Sequence, residues 1–259
     1  MMSLEARRAA HRRRGLAAYP DDLPGDAERI EGITAVVERL AGPVRLRLPA
    51  FDLVVEVPPE VGAKILYLLA VDDYETSDLE LLTRHVGSGD RLMVLGGGIG
   101  VTTALGTRIT GEPVTVIEAN LALHPVIAQQ AVLNGGRVTL VHAAVVGDAA
   151  AYPDGSVTFE VASDFWYSRL GAGHGAIAVP ALGFDRLCAE HRPSAVLIDI
   201  EGAETDVLAG PVPETVRTLI VEIHTPELGA AATGAIVTRL VGQGFTVVDQ
   251  QALSWTFLR

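Results

Sequence analysis

Residues 91–120, RLMVLGGGIGVTTALGTRITGEPVTVIEAN, constrain this chain more than any other stretch. An apolar run, Leu92 to Leu95, breaks into Gly96, Gly97, Gly98 and Gly100. A helix-compatible segment follows, and a second β-like run, Val114 to Ile117, ends on Glu118. The pattern reads as strand, glycine turn, helix, strand. Such a turn lets backbone amides approach a ligand where any Cβ would collide. A carboxylate at the tip of the next strand can accept hydrogen bonds from a ribose diol. The ligand implied is a nucleoside.

Glu118 lies 18 residues beyond Gly100, the distance expected of a βαβ unit that binds either a dinucleotide or S-adenosylmethionine. A dinucleotide site asks for G-x-G-x-x-G. Here Gly98-Ile99-Gly100-Val101-Thr102-Thr103 puts Thr103 where the last glycine belongs, which leans away from NAD. A turn without any ligand is disfavoured by four glycines in five positions beside an acidic strand end.

At 259 residues the chain can bury one substantial core. We expect an N-terminal extension over residues 1–60, of helices and a short β-hairpin, and one α/β domain over 61–259. A net charge of −12 disfavours nonspecific nucleic-acid binding, which selects for Lys and Arg. The charge is uneven: residues 1–14 carry five arginines against Glu5, read as a solvated terminal helix or as a basic arm for an acidic partner. The single cysteine, Cys188, excludes an internal disulfide and fits a reducing compartment. No apolar run approaches 18 residues, so a cytoplasmic protein without a membrane partner is expected.

Along the chain, residues 3–18 and 27–40 read as helices whose apolar faces could build a homodimer contact. Val44 to Val57 alternates around Pro49 as two short strands or a hairpin. Ala63 to Val71 and Ser77 to Val86 read as helices, the second opened by a Ser77/Glu80 capping box. Beyond Asn120, His124 to Leu133 is a helix ended by Asn134-Gly135-Gly136. Strands are expected at 138–146, 156–162, 195–200, 218–223, 245–248 and 254–258, with a short strand end and a helix over 180–191 and helices over 204–208 and 230–241 between them. This alternation gives a doubly wound, mostly parallel sheet.

Ligands of such sheets sit beyond the carboxyl ends of the strands, where strand order reverses. Three charged clusters fall at those ends: Glu118, the Asp199/Glu201/Glu204 group, and Glu222 with His224. They should converge on one cleft, with Asp199 or Glu201 beside a transferred group and His224 as general base. The competing reading has Glu201 or Glu204 capping the next helix. Asp199, Glu201, Glu222 and His224 could also gather a divalent cation, an alternative not favoured. Phe165-Trp166-Tyr167 and the glycine-rich segment holding His174 are candidates for an acceptor-binding lid, against simple core packing.

These residues carry a family resemblance. Tyr74-Glu75, VLGGGIG, VIEAN, QAVLNGG, Ala144-Val145-Val146-Gly147-Asp148, IDIEGAE followed by VLAG, and IVEIHT together resemble the FkbM-type S-adenosylmethionine-dependent methyltransferases, mostly O-methyltransferases of natural products and sugars. The likeness spans roughly residues 74–224. It implies the Rossmann-like class I methyltransferase sheet, seven strands with an antiparallel C-terminal hairpin. It implies that Gly96, Gly97, Gly98 and Gly100 line the cofactor and that Glu118 holds its ribose, supported by Ala119 and Asn120. It also places His142 and Ala143 near the adenine and Glu75 and Asp199 toward the methionine end; Trp166, Tyr167 and His174, in the candidate lid, are read from their own chemistry as facing a small hydroxyl acceptor.

Two positions depart from the family pattern. Val94 stands where V-I-D-V-G-A-N-I-G has an acid, and Leu197 where K-I-D-V-E-G has a lysine. A lost charge-assisted hydrogen bond is worth about 1.5–3 kcal/mol, so these departures keep a repurposed or non-catalytic cofactor binder in view. An NAD-linked oxidoreductase is the further alternative.

Overall fold

The computed structural model describes residues 42–61, 63–70, 73–160, 169–171 and 176–259. The helices expected over 3–18 and 27–40, with the arginine arm and the dimer contact drawn from them, lie outside the described residues. The chain divides into two compact units, residues 1–76 and 77–259.

In the first unit, β1 (Val44–Leu48) and β2 (Leu53–Val57) form an antiparallel hairpin with Leu48 opposite Leu53. Leu53, Val55 and Val57 point inward at the period-two spacing of a strand with one buried face. Arg45 and Glu56, also register partners, pair at 2.6 Å. Helix α1 (Ala63–Ala70) follows.

Helix α2 (Thr76–His85) leads into the second unit. It starts one residue earlier than expected, so Ser77 lies inside it. Glu80 pairs with Arg84 one turn on, at 2.8 Å. Strands β3 (Leu92–Leu95), β4 (Val114–Glu118) and β5 (Val138–His142) come next, joined by α3 (Val101–Thr110) and α4 (His124–Leu133). The chain then forms a side sheet from β6 (Ala144–Val146), β7 (Ser156–Glu160), β8 (Arg169–Leu170) and β9 (Ala176–Gly183), in the order β6-β9-β7-β8. It returns through α5 (Phe184–His191), β10 (Ala195–Ile198), α6 (Glu204–Val207), β11 (Thr218–Glu222), α7 (Thr225–Leu228) and α8 (Ala230–Gly242). The closing hairpin is β12 (Thr246–Gln251) and β13 (Ser254–Leu258).

The main sheet has seven strands in the order β12-β13-β11-β10-β3-β4-β5. Neighbours from β11 to β5 are parallel, and β13 runs antiparallel to both β11 and β12. This is the Rossmann-like sheet with an antiparallel C-terminal hairpin. One expected strand, 138–146, is two: the chain leaves the main sheet at Ala143, and Ala144–Val146 pairs with β9 in the side sheet. An unbroken run of apolar and β-branched residues does not reveal which sheet each half joins.

Strands β3 and β10 are buried throughout, as parallel strands covered on both faces must be. Their side chains alternate. Met93, Leu95, Val196 and Ile198 enter one core with Phe184, Leu187, Ile236, Leu240 and Phe257, while Val94 and Leu197 turn to the opposite face. Among the described residues no helix is long and apolar enough to cross a membrane.

Candidate functional site

Strand order reverses between β3 and β10, and the glycine turn sits in the crevice this opens. Gly96, at φ 85°, meets the end of β10 so closely that a Cβ there would lie 1.8 Å from the Asp199 carbonyl oxygen. At Gly97 a Cβ would lie 2.6 Å from the Ile127 side chain and 2.8 Å from Val116. The protein's own packing therefore demands a bare turn, whatever ligand approaches it.

Glu118 closes the other side. Its Oε2 accepts from the Gly97 amide at 2.8 Å, and its Oε1 accepts from the Asn120 amide at 2.6 Å. Burial pushes this carboxyl up, and the bonds from Asn120 and Gly97 pull against that shift. Asn120 in turn accepts from the Ala122 amide and caps the short turn after β4. His142 donates through Nε2 to the Ala119 carbonyl at 3.1 Å. His124 does the same to the Glu118 carbonyl at 3.0 Å, and the two rings meet edge to face at 5.7 Å. Ala143, expected beside the adenine, is 1% exposed and packs into the main core.

A second cluster gathers beyond β10 and β11. His224 Nδ1 donates to Glu204 Oε1 at 2.6 Å, while its Nε2 lies 3.4 Å from Glu201 and 3.8 Å from Asp199. Burial opposes a charge on this imidazole, but the Glu204 hydrogen bond and the charges of Asp199 and Glu201 outweigh it and raise its pKa to about 9. A ring held this firmly toward its charged form fits a positioning role better than the expected one of general base.

Glu204 is fully buried and also accepts from the Gly202 amide at 3.1 Å. Helix α6 has no side-chain cap, so neither Glu201 nor Glu204 serves it in that way. Glu201 holds a left-handed backbone at φ 50°, and its side chain is 30% exposed. Burial, and then the Asp199 charge, push its carboxyl up to about 7. Strained, partly exposed acids of shifted pKa are the signature of functional positions.

Asp78, on α2, was not foreseen. It is 2% exposed, and burial followed by the Asp199 charge push its carboxyl up to about 7. Its only trace in the sequence is an acid in the first turn of a helix, which serves equally to offset the helix dipole. Glu75, expected at the methionine end, belongs to the first unit and adopts φ 50°. Trp166, Tyr167 and His174, and the lid they suggested, lie outside the described residues.

With this geometry in place, comparison with known proteins is direct. The Methyltransferase FkbM domain matches residues 100–247, more than half the chain. The chain belongs to the FkbM methyltransferase family. No curated protein sequence matches it. Among solved structures, it is similar to precorrin-6y C5,15-methyltransferase from Geobacter metallireducens GS-15, at 11% identity over 72% of this chain and 89% of that one, with a TM-score of 0.43. A methyltransferase from Pyrococcus furiosus matches at 14% identity over 91% and 98%, with a TM-score of 0.42.

FkbM membership makes this an S-adenosylmethionine-dependent methyltransferase, and the residues present fit that cofactor. A carboxylate offers about four lone-pair sites, so Glu118, held by the Asn120, Gly97 and Gly98 amides, retains an acceptor for a ribose hydroxyl. Asp199 Oδ1 is buried without a hydrogen-bond partner among the described residues, which suits a cationic neighbour.

The two departures from the FkbM pattern turn out to be one. Val94 and Leu197 are direct register partners across β3 and β10, 0% and 1% exposed. An acid and a lysine at these positions would stand side by side, and here an apolar pair replaces them. Exchanging a buried ion pair for apolar residues is often neutral or stabilising, and neither side chain opens onto the cleft.

Val94→Asp should therefore destabilise the protein by about 3–5 kcal/mol, the cost of an unpaired buried charge, with Leu197→Lys restoring part of that loss in the double variant. Thermal melts of the two singles and the double complete the cycle. A second expectation concerns pH. Asp78, Glu201 and His224 all bind protons more tightly in the folded chain than in the unfolded one. Stability measured in chelator should fall as pH rises from about 4 to 9. The His224 share is fully present below its unfolded pKa near 6.5 and is lost as pH rises through about 9. His224→Gln should flatten the upper part of the melting-temperature profile.

Proposed function

We propose that this chain transfers a methyl group from S-adenosylmethionine to a hydroxyl oxygen of a small-molecule acceptor, with Glu201 as the general base. The observation that carries this reading is the placing of Glu201. It joins solvent access to a strained backbone and stands 3.4 Å from a cationic His224, at the carboxyl end of the strand beside the glycine turn.

The cofactor supplies an electrophilic methyl group on a sulfonium. Gly96, Gly97, Gly98 and Gly100 admit it by leaving the turn without side chains. Glu118, fixed by the Gly97 and Asn120 amides, receives the ribose, and His142 borders the adenine side. Asp199 offers negative charge to the cationic end. Glu201 would take the acceptor's hydroxyl proton as that oxygen bonds to the methyl carbon. The methyl–sulfur bond would break in the same step, and the cofactor would leave as a neutral thioether, so the base's negative charge and the sulfonium's positive charge cancel. His224 is a positioning residue: Glu204 holds one ring nitrogen, and the other faces Glu201.

Holding the reactants in line can supply about 7–11 kcal/mol. A general base adds about 10²- to 10⁴-fold, so geometry dominates. Calorimetric titration with S-adenosylmethionine and S-adenosylhomocysteine tests the cofactor reading directly. Glu201→Gln should keep cofactor affinity within about twofold while turnover on a hydroxyl acceptor falls by about 10²-fold or more. In the unaltered enzyme kcat/KM should rise with pH through about 7. Full turnover by Glu201→Gln would remove Glu201 from the role.

A further inference from the structure

Behind the Asp199/Glu201/His224 group lies a deeper one. Asp78, Asp199 and Glu222 each offer a carboxylate oxygen, and these three oxygens all lie within 4.8 Å of one another. Each acid comes from a different element: Asp78 from the first turn of α2, Asp199 from the end of β10 and Glu222 from the end of β11. Helix α2 is fastened to the sheet at its far end, where Arg84 and His85 both reach Asp249 of β12, at 2.8 and 2.9 Å. That fastening holds Asp78 against the strand ends.

Two oxygens in this group stand out. Asp78 Oδ1 and Asp199 Oδ1 are sealed from solvent and have no hydrogen-bond partner among the described residues. Asp78 as a whole is 98% buried. Among the described residues no arginine or lysine pairs with either acid, and the nearby His224 ring faces Asp199 and Glu201. A buried carboxylate oxygen left without a donor costs free energy unless something positive completes it.

We infer that Asp78, Asp199 and Glu222 form a binding site for a hard divalent cation of the Mg²⁺ or Mn²⁺ type. Oxygens at about 2.1 Å from an octahedral ion lie about 3–4.2 Å apart, which oxygens within 4.8 Å of one another can reach. All-oxygen ligation selects hard cations over Zn²⁺ or Cu²⁺. The outer group, Asp199 with Glu201 and His224, meets the same spacing. Its imidazole is already engaged: Glu204 holds one ring nitrogen at 2.6 Å, and the other faces Glu201 and Asp199 at 3.4 and 3.8 Å. The inference shares Asp199 with the proposed methyl-transfer site, and its test keeps the two apart.

The experiment is titration of the chelator-stripped full chain with MnCl₂, followed by the electron paramagnetic resonance of free Mn²⁺ and by calorimetry. S-adenosylmethionine is titrated separately into the same stripped protein. One saturable Mn²⁺ site is expected. Asp78→Asn and Glu222→Gln should each weaken it at least about tenfold, as changes around a metal commonly do. Glu201→Gln, outside the triad, should leave it within about twofold. If Asp78→Asn does not fold, as judged by circular dichroism, Glu222→Gln decides. No saturable binding up to about 1 mM Mn²⁺ would overturn the site, as would binding that Asp78→Asn and Glu222→Gln leave unchanged or that only Glu201→Gln removes. Cofactor binding by the stripped protein would leave the methyltransferase reading intact in any of those cases.

Discussion

The close approach of two parallel strand ends organises this protein. Where β3 gives way to its turn and β10 ends beside it, the Asp199 carbonyl occupies the space a side chain on Gly96 would need. The Asp199 amide donates to Leu95 and the Gly96 amide to Ile117, so the turn is tied to the strands on both sides. One backbone contact thereby sets the two working halves of the cleft next to each other: Glu118 and its amides on one side, the acids after β10 on the other. A Cβ at Gly96 would push them apart and leave the strands without their register.

The second theme is electrostatic. Asp199, Glu201 and Glu204 gather about the His224 ring, with Asp78 and Glu222 beside Asp199, in surroundings that exclude much of the water that would screen them. Such a field favours a cationic ligand and raises the proton affinity of the acids that lack a close partner. His224 is drawn into the same field. An imidazole that would titrate near neutrality in water is held toward its charged form, and the carboxyl of Glu201, at the more exposed edge, is pushed up to about 7. The division of labour among these side chains follows from their burial and spacing more than from their identities.

The strand, turn and helix around residues 91–120 are legible from the chain alone because each signal is local. Apolar β-formers make strands, glycines permit φ 85° at positions 96 and 100, and the acid at a strand tip follows from the length of the βαβ unit. The parallel core strands are legible for the same reason, since burial on both faces requires an unbroken apolar run. Local pattern also marked the acids after β10 and the His224 that follows β11 as residues of one cleft.

Other features depend on distances between residues far apart in sequence, and no local pattern encodes them. Asp78 reads as a helix-dipole acid until α2 is docked against the strand ends. The 138–146 run reads as one strand until Ala144–Val146 finds its partner in β9. Val94 and Leu197, two separate losses in the sequence, become one apolar pair once β3 and β10 are in register. The protonation of His224 depends on three acids, 20 to 25 positions upstream of it, converging on a single ring. What the sequence determined by itself is the backbone path and the chemical types brought to the crevice, because turns and strands obey local sterics. What only the tertiary structure decided is which of those groups carry charge and which meet, because proton affinity and ion binding depend on through-space proximity and burial.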